Sequence, residues 1–117
     1  MTAPAQRITL TLTEAHVVSA VIGWLRSRGW RCERQQSGLF GDSGRKVRVG
    51  TPGIFDWNCF KGPRYFKLEV KRPGKDLSDL QKQYFNQAKR EKLNVMWCDS
   101  FDSFIERFQA EAWSVER

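Results

Sequence analysis

An α/β fold is predicted by three observations on this chain: apolar residues recur at helical spacing in separate stretches, one run alternates apolar and charged residues with a period of two, and Gly- and Pro-rich breaks separate them. The 117 residues suffice for one core, and no repeat or low-complexity linker divides them, so a single domain over 1–117 is expected. Hydrophobic residues make up 40% and charged residues 28%, a balance that excludes a disordered chain.

The elements follow in order. T-L-T-E from Thr11 fits a capping box, and Val17, Val18, Val21, Ile22 and Leu25 then fall on helical spacing until Gly29 ends the helix. Trp30 to Arg34 reads as a short strand, and QQSGLFGDSGRK after it as a mobile loop with a basic tail of Arg45, Lys46 and Arg48. IFDWNCF reads as a strand, KGPR as a turn, and YFKLEVK as the clearest strand of the chain. S-D-L-Q offers a second capping box for a helix to about Lys92, Asn94 to Cys98 is a short buried strand, and Phe101, Phe104, Ile105 and Phe108 share a face of a last helix ending near Ala112. The order is helix, two or three strands, helix, strand, helix. Trp24 and Trp97 are expected in the core, and Trp113, beyond the last helix, at a subunit interface.

Composition narrows the function classes. Lys and Arg number 20 against 13 Asp and Glu, a net charge of +7 that favours an anionic partner, most commonly nucleic acid. Cys32, Cys59 and Cys98 are odd in number, widely spaced and far from His16, the single histidine, so neither a disulfide framework nor a zinc site is indicated. The apolar stretch from Val17 to Leu25 is too short for a bilayer, and MTAPAQRITLTLTE lacks the pattern of a secretory leader. An intracellular, cytoplasmic protein with no membrane partner is expected.

The chemistry concentrates on two strands. If KGPR closes a hairpin, cross-strand partners sum to 125 and Asp56 falls opposite Glu69. Facing carboxylates destabilise a sheet, whereas a divalent cation between them reverses the sign of that interaction. Lys71 lies two residues beyond Glu69 on the same face, where it can orient a water or stabilise charge building on a phosphate. An isolated E-x-K is most often a plain solvent-facing strand edge. Glu14 and Gln81 each have a capping reading by spacing, and His16 reads as a helix-surface residue without a role.

G50-T-P-G-I-F-D56, then L68-E-V-K71 and L77-S-D-L-Q81, together with T13-E14, R28-G-W and R34-Q-Q-S-G38, resemble the VRR-NUC family of the PD-(D/E)XK nuclease superfamily over nearly the whole chain. The resemblance implies a PD-(D/E)XK core with a central mixed sheet flanked by helices. It implies Asp56, Glu69, Lys71 and Gln81 as catalytic residues, and Glu14, Asp56, Glu69 and Val70 as metal ligands. Phe55 departs from the family, where many relatives have proline before the Asp. The expected activity is a Mg²⁺-dependent, or Mn²⁺-substituted, DNA endonuclease with no small-molecule cofactor. Resemblance to short members from bacteria and their viruses implies a homodimer acting on branched DNA such as four-way junctions in a bacterial or virus-infected bacterial cell. Arg45, Lys46, Arg48, Lys61, Arg64, Arg72 and Lys75 surround the site in sequence as candidate phosphate contacts, with solvated loop charges as the alternative for each. Two other readings compete: a basic DNA-binding module without turnover, and a restriction-type endonuclease using the same residues.

Overall fold

The computed structural model describes residues 11–35, 38–40, 47–49, 52–111 and 113. The chain is α/β, with a mixed four-stranded sheet flanked by helices. Its elements are α1 (Glu14–Ser27), β1 (Arg31–Arg34), β2 (Gly38–Phe40), β3 (Val47–Val49), β4 (Trp57–Lys61), β5 (Arg64–Val70), α2 (Asp79–Arg90), β6 (Val95–Cys98) and α3 (Phe101–Ala110). The main sheet has the order β1-β4-β5-β6, antiparallel except for the parallel β5–β6 pair. A parallel pair requires a crossover connection, and here α2 provides it.

Helix α1 begins later than the Thr11 capping box implied. Thr13 is the N-cap: its hydroxyl accepts from the His16 main-chain N–H at 3.3 Å, while the Thr13 main-chain N–H donates to His16 Nδ1 at 3.0 Å. His16, read as roleless, therefore does the work assigned to Glu14, and Glu14 is left free of the cap. The second box stands as read, with the Ser78 hydroxyl accepting from Gln81 N–H at 3.2 Å and Gln81 Oε1 accepting from Ser78 N–H at 3.0 Å. Ser78→Ala should cost about 1 kcal/mol, measurable as a lowered midpoint in urea unfolding. Gly29, at φ +89, closes α1 as expected.

Part of the segment expected as a mobile loop is ordered pairing. Gly38–Phe40 and Val47–Val49 form a two-stranded antiparallel sheet of their own. Three glycines and two serines within 35–46 suggested a loop, but Leu-Phe on one side and Val-Arg-Val on the other supply β-forming residues that can pair.

The hairpin register falls where the sequence placed it. Phe60 faces Tyr65 and Trp57 faces Leu68; Lys61 and Arg64 also pair, which shortens the turn to Gly62-Pro63. Gly62 takes φ +58, the left-handed conformation that a tight hairpin demands at this position. The ladder ends at Trp57, so residues 54–56, read as the start of a strand, lie outside it, between the turn at residues 52–53 and β4.

Alternation along β5 divides the sheet into two faces. Phe66, Leu68 and Val70 join Cys32, Trp57, Cys59, Met96 and Cys98 against Val17, Val21, Ile22 and Leu25 of α1 and Phe104 and Phe108 of α3. Trp24 packs edge-on against Phe101, Phe104 and Phe108. Trp113 stacks on Phe66 with ring centroids 4.6 Å apart and is partly buried against this core. The second face is smaller: Phe55, Leu77, Ala88 and Val95 pack together with Tyr84, Phe85 and Trp97 beneath α2. The three cysteines are buried free thiols, with Cys32 directly opposite Cys59 across β1 and β4. No helix among the described residues is long and apolar enough to cross a membrane.

Candidate active site

Three segments meet where β5 ends. Glu69 and Lys71 are the two buried charged residues among those described. Their side chains are 7% and 11% exposed, and Lys71 Nζ lies 3.6 Å from Glu69 Oε2. Strand pairing explains the burial. Glu69 lies beside Trp97 of β6, and Lys71 N–H donates to the Cys98 carbonyl at 2.8 Å, carrying the β5–β6 ladder one residue past the strand.

Asp56 enters from the segment just before β4. Its main-chain N–H donates to Glu69 Oε1 at 3.0 Å, which continues the 125-sum register by one position beyond the ladder. The expectation that Asp56 lies opposite Glu69 is met, but by a backbone contact. The Asp56 carboxylate itself pairs with Arg34 at 3.0 Å, and its carbonyl accepts from Gln35 N–H. Arg34 is a residue that sequence reasoning passed over as a positioning group. Its place at the end of β1, opposite Trp57, was the available signal once β1 was recognised.

The turn leading to Asp56 is held by α2. Gly53 has φ +78, and a Cβ added there would collide with the carbonyl of Leu80 and approach Gln81 N at 2.9 Å. Phe55 is fully buried beside Tyr84 and Phe85, with centroids 5.3 and 6.0 Å away. Phe55 thus serves as an apolar anchor for the residue that directly follows it, Asp56.

Burial dominates the electrostatics of Glu69. Desolvation pushes its carboxyl up to about 7, against a partial opposing pull from Lys71, while the nearby negative charges of Asp56 and Glu14 add to the rise. Below about pH 4.5 folded and unfolded chains both carry the proton. Between 4.5 and 7 the folded protein holds a proton that the unfolded chain has released, so metal-free stability should fall as pH rises through this window and level off above it. The full change is at most about 3 kcal/mol. Urea titrations at pH 5 and pH 8 measure it, and Glu69→Gln should flatten the profile.

The remaining candidates divide. Glu14, at the first position of α1, carries a charge that Glu69 senses. Gln81 is half-buried with its amide oxygen committed to Ser78 N–H. The Val70 side chain is buried in the core, leaving only its main-chain carbonyl as a donor. Arg72 and Lys75 are exposed in the turn directly after Lys71. Arg64 lies at the far end of β5, about 17 Å from Glu69 at 3.4 Å per residue, with its guanidinium over Trp30. The structure does not bring it to the centre, nor Lys61 beside it on the hairpin. Arg48 lies on β3, and Arg45 and Lys46 lie outside the described residues.

A metal fits this donor set in chemistry: two or three carboxylates and a carbonyl are hard oxygen ligands suited to Mg²⁺ or Mn²⁺, and a cation would relieve the burial of Glu69. Among the described residues no three His, Cys, Asp or Glu side chains converge closely enough to hold one, and the Asp56 carboxylate pairs with Arg34. Searches against family models, curated proteins and solved structures found no match for the chain.

Proposed function

We propose that the chain is a metal-dependent deoxyribonuclease of the VRR-NUC type, with a PD-(D/E)XK core, hydrolysing phosphodiester bonds in DNA. The observation that carries this reading is the buried Glu69–Lys71 pair at the end of β5, with the Asp56 main-chain N–H bonded to Glu69 from the segment just before β4. A sheet gains little from burying a charge pair, since desolvation offsets much of the attraction, so the arrangement is better explained by chemistry than by stability.

In the reaction, Asp56 and Glu69, with Glu14 and the Val70 carbonyl, would hold Mg²⁺. A cation held there would supply Lewis acidity toward the phosphate and lower the pKa of a coordinated water. The Lys71 ammonium, desolvated and fixed by Glu69, stabilises the charge that accumulates on the phosphoryl oxygens. To serve as a ligand, the Asp56 carboxylate would exchange its pairing with Arg34 for the cation. Arg72 and Lys75 bind flanking phosphates. Action on branched DNA by a homodimer is part of this proposal through the family resemblance alone.

The test is cleavage of labelled linear duplex, single-stranded and four-way-junction DNA with Mg²⁺, Mn²⁺ or EDTA. Metal-dependent cutting supports the reading, and the preferred substrate identifies the branched-DNA component. A second reading, a DNA-binding module without turnover, is favoured by the Arg34–Asp56 pair and by the lack of a converged ligand set among the described residues. Binding without cutting under both metals would select it.

A further inference from the structure

A half-buried cation stands beside the Glu69–Lys71 pair with no use in the reaction above. Lys67 precedes Glu69 by two residues on the same face of β5, about 7 Å away along the strand. Its ammonium donates to Gln35 Oε1 at 2.9 Å; the same oxygen accepts from Asn58 Nδ2 at 2.9 Å, and Asn58 Oδ1 accepts from the Tyr65 hydroxyl at 2.9 Å. These partners are neutral. They aim the ammonium without neutralising it, and no carboxylate among the described residues lies within ion-pair distance of it. Desolvation accordingly holds Lys67 below the usual lysine range.

Lys67 is also one of the residues that line a cleft of about 270 Å³, with Tyr65, Tyr84, Lys92 and Asn94 and the apolar Leu93 and Val95 among the others. Two lysines supply positive charge. Burial raises both phenols above their ordinary values, so they stay protonated and present neutral rings. Anion and aromatic contacts together suit a nucleotide unit better than they suit an apolar ligand or an amine.

Resting on the nuclease reading for its neighbour, we propose that this cleft is a nucleotide subsite. Lys67 and Lys92 take the phosphate next to the scissile one, and Tyr65 and Tyr84 offer rings to the attached nucleoside. The row Tyr65, Lys67, Glu69, Lys71 on one face of β5 then tracks a single strand across the centre, with the bond to be cut at Glu69 and Lys71.

Binding of a labelled DNA duplex in EDTA, across a series of salt concentrations, tests it without turnover. Lys67→Gln should weaken affinity about fivefold to tenfold and lower the slope of log K against log salt by about 1, with Lys67→Arg close to wild type. Lys92→Gln, at an exposed position, should move both quantities in the same direction and carries the test if Lys67→Gln does not fold. Unchanged affinity and slope in a folded Lys67→Gln variant overturn the subsite. Cleavage assays separate the two readings: weakened binding in the variant with no cutting by wild type keeps the subsite and removes the nuclease, whereas cutting by wild type with unchanged binding in the variant does the reverse.

Discussion

Lys71→Ala should reduce metal-dependent DNA cleavage on the order of 10²–10³-fold in single-turnover assays while leaving duplex binding nearly intact. The magnitude follows from removing one preorganised charge from a site where water is excluded. Lys71 is 9% exposed and its ammonium is already fixed by Glu69, so little reorganisation is needed as charge develops. The substitution also leaves Glu69 buried without its cation, which raises its pKa further and weakens metal binding. Lys71→Arg separates these effects: it restores charge next to Glu69 but not the compact ammonium, so metal affinity should recover more than rate. Wild-type rates in both variants would remove Lys71 from the reaction.

Gly53→Ala should destabilise the fold by about 2–5 kcal/mol, the sum of roughly 1–2 kcal/mol for a left-handed backbone and about 1–3 kcal/mol for overpacking. The obstacle is the main chain of α2 at Leu80 and Gln81, which cannot rotate away as a side chain can. Urea unfolding measures the loss. Any relaxation must shift the turn that leads to Asp56, so residual folded Gly53→Ala should also cut DNA more slowly than its folded fraction accounts for. Wild-type stability would show that turn and helix can separate at small cost.

The legible parts of the fold were those with strong local signals. The period-two run over Tyr65–Lys71 and the KGPR turn placed β5 and the hairpin register, and hence Asp56 beside Glu69. S-D-L-Q placed the start of α2 to the residue. Errors arose where two signals overlapped or where distant packing decided the outcome. Thr11 and Thr13 both offer a cap three residues before a polar side chain, and only the structure shows His16 closing the box. Phe55 looked like part of a strand, because its packing under α2 depends on residues about thirty positions later. The stacking of Trp113 on Phe66 was hidden for the same reason, since Phe66 lies far away in sequence. In the site, residue types and spacing pointed to Glu69 and Lys71, but the direction of the Asp56 carboxylate depends on Arg34, whose proximity is a property of the sheet order.

The chain departs from β1 and returns to β4 at a single place, closed by the bond from Gln35 N–H to the Asp56 carbonyl. Between these points β2 and β3 pair with each other in a separate sheet, while the register of the four-stranded sheet is set by β1, β4, β5 and β6. The pairing that buries Glu69 therefore takes nothing from the β2–β3 ribbon, so a change of length or sequence there should leave the register of the four-stranded sheet in place.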